Sequence, residues 1–179
     1  MPEALIIDAC RTPRGIGKVG KGALAEHHPQ RLASTVLAAL AQRNDVNTAE
    51  VDDIIWGTSS QRGKQGSDMG RMAALDAGYD IKASGVTLDR FCGSGITAVN
   101  LAAAQIMSGM EDLVIARGCE MMSYTASSAP PRDPDAGPPL MDSGNLRLRA
   151  KHPQSHQGGC GDAIATMEGI RREDLDALA

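Results

Sequence analysis

Short apolar runs alternate with stretches of helical periodicity along the front of this chain. Runs rich in aliphatic residues predict strands at Ala4–Ala9, Asp53–Gly57, Gly85–Asp89 and Asp112–Ala116. Apolar residues that recur every third or fourth position predict helices at about Pro29–Asn44, Gly70–Gly78 and Gly93–Ser108. Strands that alternate with helices indicate an α/β layered fold, here with a mixed, partly parallel sheet flanked by helices.

The pattern changes after Tyr124. The proline-rich stretch Ala129–Pro139 cannot continue a helix or a central strand, so it predicts an excursion or linker. Polar, irregular sequence follows to about Gly161, and helical sequence then continues to Ala179 without a stop signal. We therefore expect one region over residues 1–123 and part of a second region over residues 124–179, with the sequence ending inside a helical stretch.

One cysteine lies where a strand is expected to turn into a helix, in the segment Leu88–Ile96. Free amide groups and the positive end of the helix dipole favour the thiolate of Cys92 at such a turn, and the thiolate is the reactive form. Glycines at 93 and 95 leave room for a substrate carbonyl. The segment predicts Cys92 as a nucleophile that accepts an acyl group; the alternative is a small buried apolar residue.

The segment around Cys92 resembles the acylated-cysteine motif of the thiolases, and the resemblance extends over essentially the whole chain. The other matching segments are Ile7–Pro13, Gly57–Gly78, Leu113–Ser123, His156–Gly158 and Ile170–Asp174.

The resemblance implies a thiolase-like layered fold, with the front part of the N-terminal catalytic domain over residues 1–123 and part of an inserted loop domain over residues 124–179. The chain would then represent the front portion of a longer protein. It implies acyl transfer between coenzyme A and the Cys92 thiolate, in 3-ketoacyl-CoA thiolysis or acetyl-CoA condensation. Coenzyme A is then a substrate, and no covalently bound cofactor is expected. The backbone amides of Cys92 and Gly93 would face the oxyanion, His156 would contribute to substrate binding, and the protein would form a homo-oligomer, a dimer or tetramer.

The resemblance also implies residues that this sequence does not contain. Thiolases use Asn-Glu-Ala, Gly-His-Pro and Cys-x-Gly-Gly-Gly motifs, and none of these occurs in the 179 residues. We therefore expect this chain alone to be inactive or nearly so.

Composition limits the other classes of partner. The formal net charge is −4 with no basic stripe, which argues against nucleic acid. The four cysteines show no metal-ligand spacing, so no metal site is predicted. The sequence begins without a secretory signal and contains no apolar run long enough to span a bilayer, so we expect a cytoplasmic protein without membrane insertion.

Two other functions remain open from the sequence. A ketoacyl synthase-like condensing enzyme also places a cysteine at a helix start, and it would load from an acyl-carrier protein rather than from coenzyme A. An inactive fragment that serves only in assembly would carry a Cys92 of ordinary reactivity that forms no acyl adduct.

Overall fold

A three-stranded parallel sheet with helices on both faces forms the centre of the first of two units. The computed structural model describes residues 3–128 and 141–179, which divide into the units Met1–Ala129 and Pro130–Ala179. The strands are β1 (Asp53–Gly57), β2 (Val86–Leu88) and β3 (Val114–Gly118). The helices of this unit are α1 (Pro29–Arg43), α2 (Met69–Asp76), α3 (Ser94–Ser108) and α4 (Met122–Ser127), with short 3₁₀ helices at Thr48–Glu50 and Gly63–Gln65.

The strand order is β2-β1-β3, so β1 is central and pairs in parallel with both neighbours. Parallel strands need crossover connections. Helix α2 connects β1 to its neighbour β2, and α3 connects β2 to β3 on the other side of β1. The predicted α/β layers are confirmed. The described strands are all parallel, however, where the sequence analysis expects a mixed sheet.

Alternation along β1 divides the buried core between the two faces of the sheet. Ile54 and Trp56 belong to the cluster that packs against α1 and α2. Ile55 belongs to the cluster with Ala98 and Ala102 of α3. Successive side chains of a strand point to opposite faces, so one fully buried strand anchors helices on both sides.

The strand predicted at Ala4–Ala9 does not form. Leu5, Ile6 and Ile7 are all more than 70% exposed, and within the described residues the segment makes no strand pairing. The aliphatic run has β propensity, but a strand also needs a neighbour that accepts its backbone hydrogen bonds. Asp8 is held instead by Arg43 and Asn44 at the end of α1.

The second unit is helical in its described part, with α5 (Leu146–Lys151), α6 (Gln157–Glu168) and α7 (Arg172–Leu178). Helical structure thus begins earlier than Gly161, because the side chains of Asn145 and His156 cap α5 and α6. Asp142 is buried and forms a two-pronged ion pair with Arg149. The proline-rich stretch Ala129–Pro139 lies outside the described residues.

Across residues 3–128 and 141–179, no helix is long and apolar enough to cross a membrane. The same residues contain no group of side chains that could hold a metal ion.

Gly57 and Gly95 offer a matched test of the packing between β1 and α3. A Cβ on Gly57 would lie 2.6 Å from the Ser94 carbonyl carbon, whereas a Cβ on Gly95 would meet nothing within 4 Å. We expect Gly57→Ala to lower the free energy of unfolding by about 1–3 kcal/mol through overpacking. Gly95→Ala should leave it unchanged or raise it by up to about 1 kcal/mol through helix propensity. Urea unfolding of both variants checks this, and equal stability of the two would contradict it.

Candidate active site

Cys92 lies in the turn between β2 and α3, at the carboxyl edge of the sheet. Strand β2 ends at Leu88, and α3 begins at Ser94 with Gly93 as its N-cap. Cys92 is exposed and makes no disulfide. The predicted strand–cysteine–helix arrangement is therefore present, with the thiol outside the core.

Successive hydrogen bonds close this turn. The Gly93 amide donates to the Arg90 carbonyl at 3.0 Å, and the Ser94 amide donates to the Phe91 carbonyl at 3.1 Å. The Cys92 amide takes part in neither bond. Of the two amides expected at an oxyanion, Gly93 is thus already engaged in the turn.

Phe91 carries the unusual backbone conformation of the turn. Its φ is +48°, in the left-handed region that bulky side chains rarely adopt, whereas Gly93 has an ordinary φ of −89°. The Asp89 carboxylate accepts a hydrogen bond from the Phe91 amide at 2.7 Å, which holds the turn in this shape. Backbone strain that surrounding contacts maintain is typical of functional sites.

Ser94 joins the turn to the helix. It is 5% exposed, its hydroxyl donates to the Phe91 carbonyl at 2.6 Å, and the same oxygen accepts from the Arg90 amide at 2.9 Å. One buried side chain thus fixes the backbone on the amino side of Cys92.

Two glycines allow the helix start and the neighbouring strands to approach each other. Gly57 and Gly118 are partners in the register of β1 with β3. A Cβ on Gly118 would lie 2.6 Å from the Gly57 carbonyl oxygen, and a Cβ on Gly57 would collide with the Ser94 backbone. Backbone contact at this edge therefore requires residues without side chains.

Glu120 connects the loops that follow β1 and β3 at the same edge. Its carboxylate accepts from the amides of Ser59 and Ser60, at 2.8 Å and 3.3 Å, and from the side-chain amide of Gln65 at 3.1 Å. Gln65 is fully buried and also accepts from the Met121 amide. These bonds hold the loops after β1 and β3 together at the carboxyl edge of the sheet.

The other cysteines differ in their surroundings. Burial is the main cause that raises the pKa of Cys119 to about 11, and the nearby Glu120 charge adds to it. Cys10 is half-buried, with its thiol directed to the Val36 carbonyl, and Cys160 is exposed on α6.

His156 is the N-cap of α6 in the second unit. Its Nδ1 accepts a hydrogen bond from the Gly158 amide at 3.1 Å. That contact gives the side chain a structural role, and its part in substrate binding stays a prediction.

The family profile described as "Thiolase, N-terminal domain" matches residues 4–179. The chain belongs to the thiolase family. Beta-ketoadipyl-CoA thiolase of Acinetobacter baylyi is 35% identical over all of this chain and 46% of its own length. Steroid 3-ketoacyl-CoA thiolase of Mycobacterium tuberculosis is 43% identical over 72% of this chain and 31% of its own length.

A solved thiolase structure agrees with the sequence matches. The acetyl-CoA acetyltransferase of Bacillus anthracis aligns with a TM-score of 0.69 and 32% identity, over 90% of this chain and 41% of that one. The chain thus spans less than half the length of these thiolases. The predicted N-terminal thiolase portion is confirmed.

Three residues that shape the Cys92 turn carry no functional prediction from sequence: Phe91 and Ser94 at the turn, and Gly57 at the end of β1. Ser94 stands beside Cys92 in the motif, but its hydrogen bonds depend on how the turn folds. The sequence gives one sign of the close approach between the Ser94 backbone and β1, which is that the strand ends in a glycine, Gly57.

We expect the cysteines to react with iodoacetamide in an order set by exposure and ionisation. Only the thiolate reacts, so a thiol with a pKa of about 11 is almost wholly inert at pH 8. Cys92 and Cys160 should be alkylated in the folded chain at pH 8, and Cys119 only after unfolding or as the pH approaches 11. Peptide mass spectrometry measures the order. Alkylation of folded Cys119 as fast as Cys92 would refute it.

Ser94→Ala should loosen the turn that carries Cys92. The substitution leaves the Arg90 amide without its acceptor, and the loss of this part-buried hydrogen bond costs about 0.5–1.5 kcal/mol. The control is Ser108→Ala, at the exposed end of the same helix, which should change stability by less than about 0.5 kcal/mol. Denaturant unfolding measures the free energy of unfolding of both variants. A loss in Ser94→Ala no larger than the loss in Ser108→Ala would show that the Ser94 hydroxyl does not hold the turn.

Proposed function

We propose that the protein is an acyl-CoA acyltransferase in which Cys92 receives and passes on the acyl group. The observation that carries this is the exposed Cys92 thiol at the amino end of α3, in a turn fixed by Ser94. The names of the similar proteins, two 3-ketoacyl-type thiolases and an acetyl-CoA acetyltransferase, support the same reaction class.

The reaction proceeds in two halves. The Cys92 thiolate attacks the carbonyl carbon of an acyl thioester, the new sulfur–carbon bond forms, and the bond to the coenzyme A sulfur breaks. Coenzyme A leaves as a thiolate and takes a proton from water. In the second half, a coenzyme A thiolate or the carbanion of a second acyl thioester attacks the acyl-enzyme and releases Cys92.

The turn supports this chemistry through its backbone. Helix α3 begins two residues after Cys92, and the positive end of a helix dipole favours the negative charge of an oxyanion. The Cys92 amide, which the two turn hydrogen bonds leave out, is the donor we assign to the oxyanion of the tetrahedral intermediate. Membership of the thiolase family favours loading from coenzyme A over loading from an acyl-carrier protein.

The remaining proposals extend the same function. Thiolysis of a 3-ketoacyl-CoA and condensation of acetyl-CoA are the two directions of one reaction, and His156 is proposed to line the substrate path. We further propose a cytoplasmic homo-oligomer, on the family resemblance alone.

Intact-mass spectrometry with acetyl-CoA tests the nucleophile. We expect the chain to gain one acetyl group, because the turn presents an exposed thiol to the thioester carbonyl. The adduct should disappear in Cys92→Ala and persist in Cys160→Ala, which removes the other exposed cysteine. We also expect turnover of acetoacetyl-CoA by this chain to be far below an ordinary enzymatic rate, about 1–1000 per second.

Each outcome has a definite meaning. A folded chain that gains no acetyl group, or gains it equally in Cys92→Ala, would refute the proposed role of Cys92 and favour a part in assembly. Turnover at an ordinary rate would refute the expectation that these 179 residues are insufficient.

A further inference from the structure

Helix α3 buries one side against the sheet and leaves an apolar opposite side uncovered. Ala98 and Ala102 pack against Ile55 of β1. With 3.6 residues per turn, the positions that lie about half a turn from these two alanines form the other side of the helix. We call the residues at those positions the outer face of α3; they are Ile96, Val99, Asn100, Ala103 and Met107.

The large residues of the outer face are exposed. Ile96 is 71% exposed, Val99 is 44% exposed and Met107 is 49% exposed. Residues three or four positions apart are neighbours on a helix surface, so these side chains form one continuous apolar patch. Single apolar residues are common at protein surfaces, whereas a continuous patch marks a surface that another polypeptide covers.

Helix α3 carries no charge. Its fifteen residues, Ser94–Ser108, include no Asp, Glu, Lys, Arg or His, whereas α1 of the same length carries Arg31 and Arg43. A helix on the surface normally has a polar outer side, and a helix that is apolar on both sides is normally covered on both. A neutral face gains nothing from a charged partner, but two identical neutral faces meet without repulsion.

The spacing of the outer face is the same in both directions along the helix. Ile96, Asn100, Ala103 and Met107 follow one another at intervals of four, three and four residues. A second copy of α3 that runs antiparallel therefore places its Met107 opposite Ile96 and its Ala103 opposite Asn100. The long side chains then meet at the two ends of the contact, and the short ones at its centre allow the helices to approach each other.

We infer that two copies of this chain associate through the outer faces of α3, which pack antiparallel about a twofold axis. Such an arrangement is closed, because each copy uses the same surface. This interface rests on the homo-oligomer of the proposed function, and not on acyl transfer at Cys92. Helix α3 is about 22 Å long, so the contact lies at the small end of specific interfaces and the dimer should dissociate on dilution.

Sedimentation velocity over a range of chain concentrations tests the association. We expect Ile96→Glu to raise the dissociation constant of the dimer at least about tenfold, because the contact would bury an unpaired carboxylate. A carboxylate in the first turn of α3 is compatible with the helix, and circular dichroism checks the fold. Ile81→Glu is the matched control, since Ile81 is 80% exposed in the turn before β2 and should leave the dissociation constant unchanged.

A charge exchange tests the antiparallel register. Met107→Lys alone should weaken the dimer as Ile96→Glu does. A chain with both substitutions should associate more tightly than either single variant, because each new carboxylate faces a new ammonium group of the second copy. The two positions within one helix are about 16 Å apart along its axis, so they do not pair with each other.

Three results would overturn the interface. One is a chain that is monomeric at every concentration, which would refute the proposed homo-oligomer as well. The second is association that Ile96→Glu and Ile81→Glu leave equally strong, and the third is a double variant no more associated than the single ones. The acetyl adduct on Cys92 is a separate readout, so failure of the acyl transfer is distinguished from failure of the interface.

Discussion

The position of Cys92 depends on the backbone contact between Gly57 and the first turn of α3. Gly57 is the last residue of the central strand, in register with Leu88 on one side and Gly118 on the other. The Ser94 backbone approaches so closely that no side chain fits on Gly57. The strand that precedes the cysteine and the helix that follows it therefore both rest on this one residue.

A rigid attachment at Gly57 explains how the turn maintains an unfavourable conformation at Phe91. A positive φ at a bulky residue costs on the order of 1–3 kcal/mol. The Asp89 carboxylate and the buried Ser94 hydroxyl supply hydrogen bonds that exist only in this conformation. The strain is offset by contacts on both sides of the cysteine, so Cys92 lies exposed in an ordered turn.

The sequence predicts a helix or strand correctly where the apolar face of that element is covered by neighbouring elements. It does not show whether a strand has another strand to pair with. Strand β1 and helix α1 agree with their sequence patterns to within a residue, because both are buried by neighbours within the same unit. The segment Ala4–Ala9 has an equally clear pattern but no strand beside it, so its propensity is not realised. Periodicity describes what an element can bury and not whether something covers it.

The residues of the candidate site also differ in whether the sequence predicts them. Cys92 could be found from sequence because a strand, a cysteine, two glycines and a helix are local features. Ser94, Phe91 and Gly57 could not, since their roles depend on a dihedral angle and on a contact between residues far apart in the chain.

Alternation along β1 also gives its consecutive residues different surroundings. Ile55 faces α3, Trp56 faces α1 and α2, and Gly57 supports the Cys92 turn. Parallel hydrogen bonding to strands on both sides holds β1 in place, so one strand sets the position of the helices on both faces and of the turn at its end.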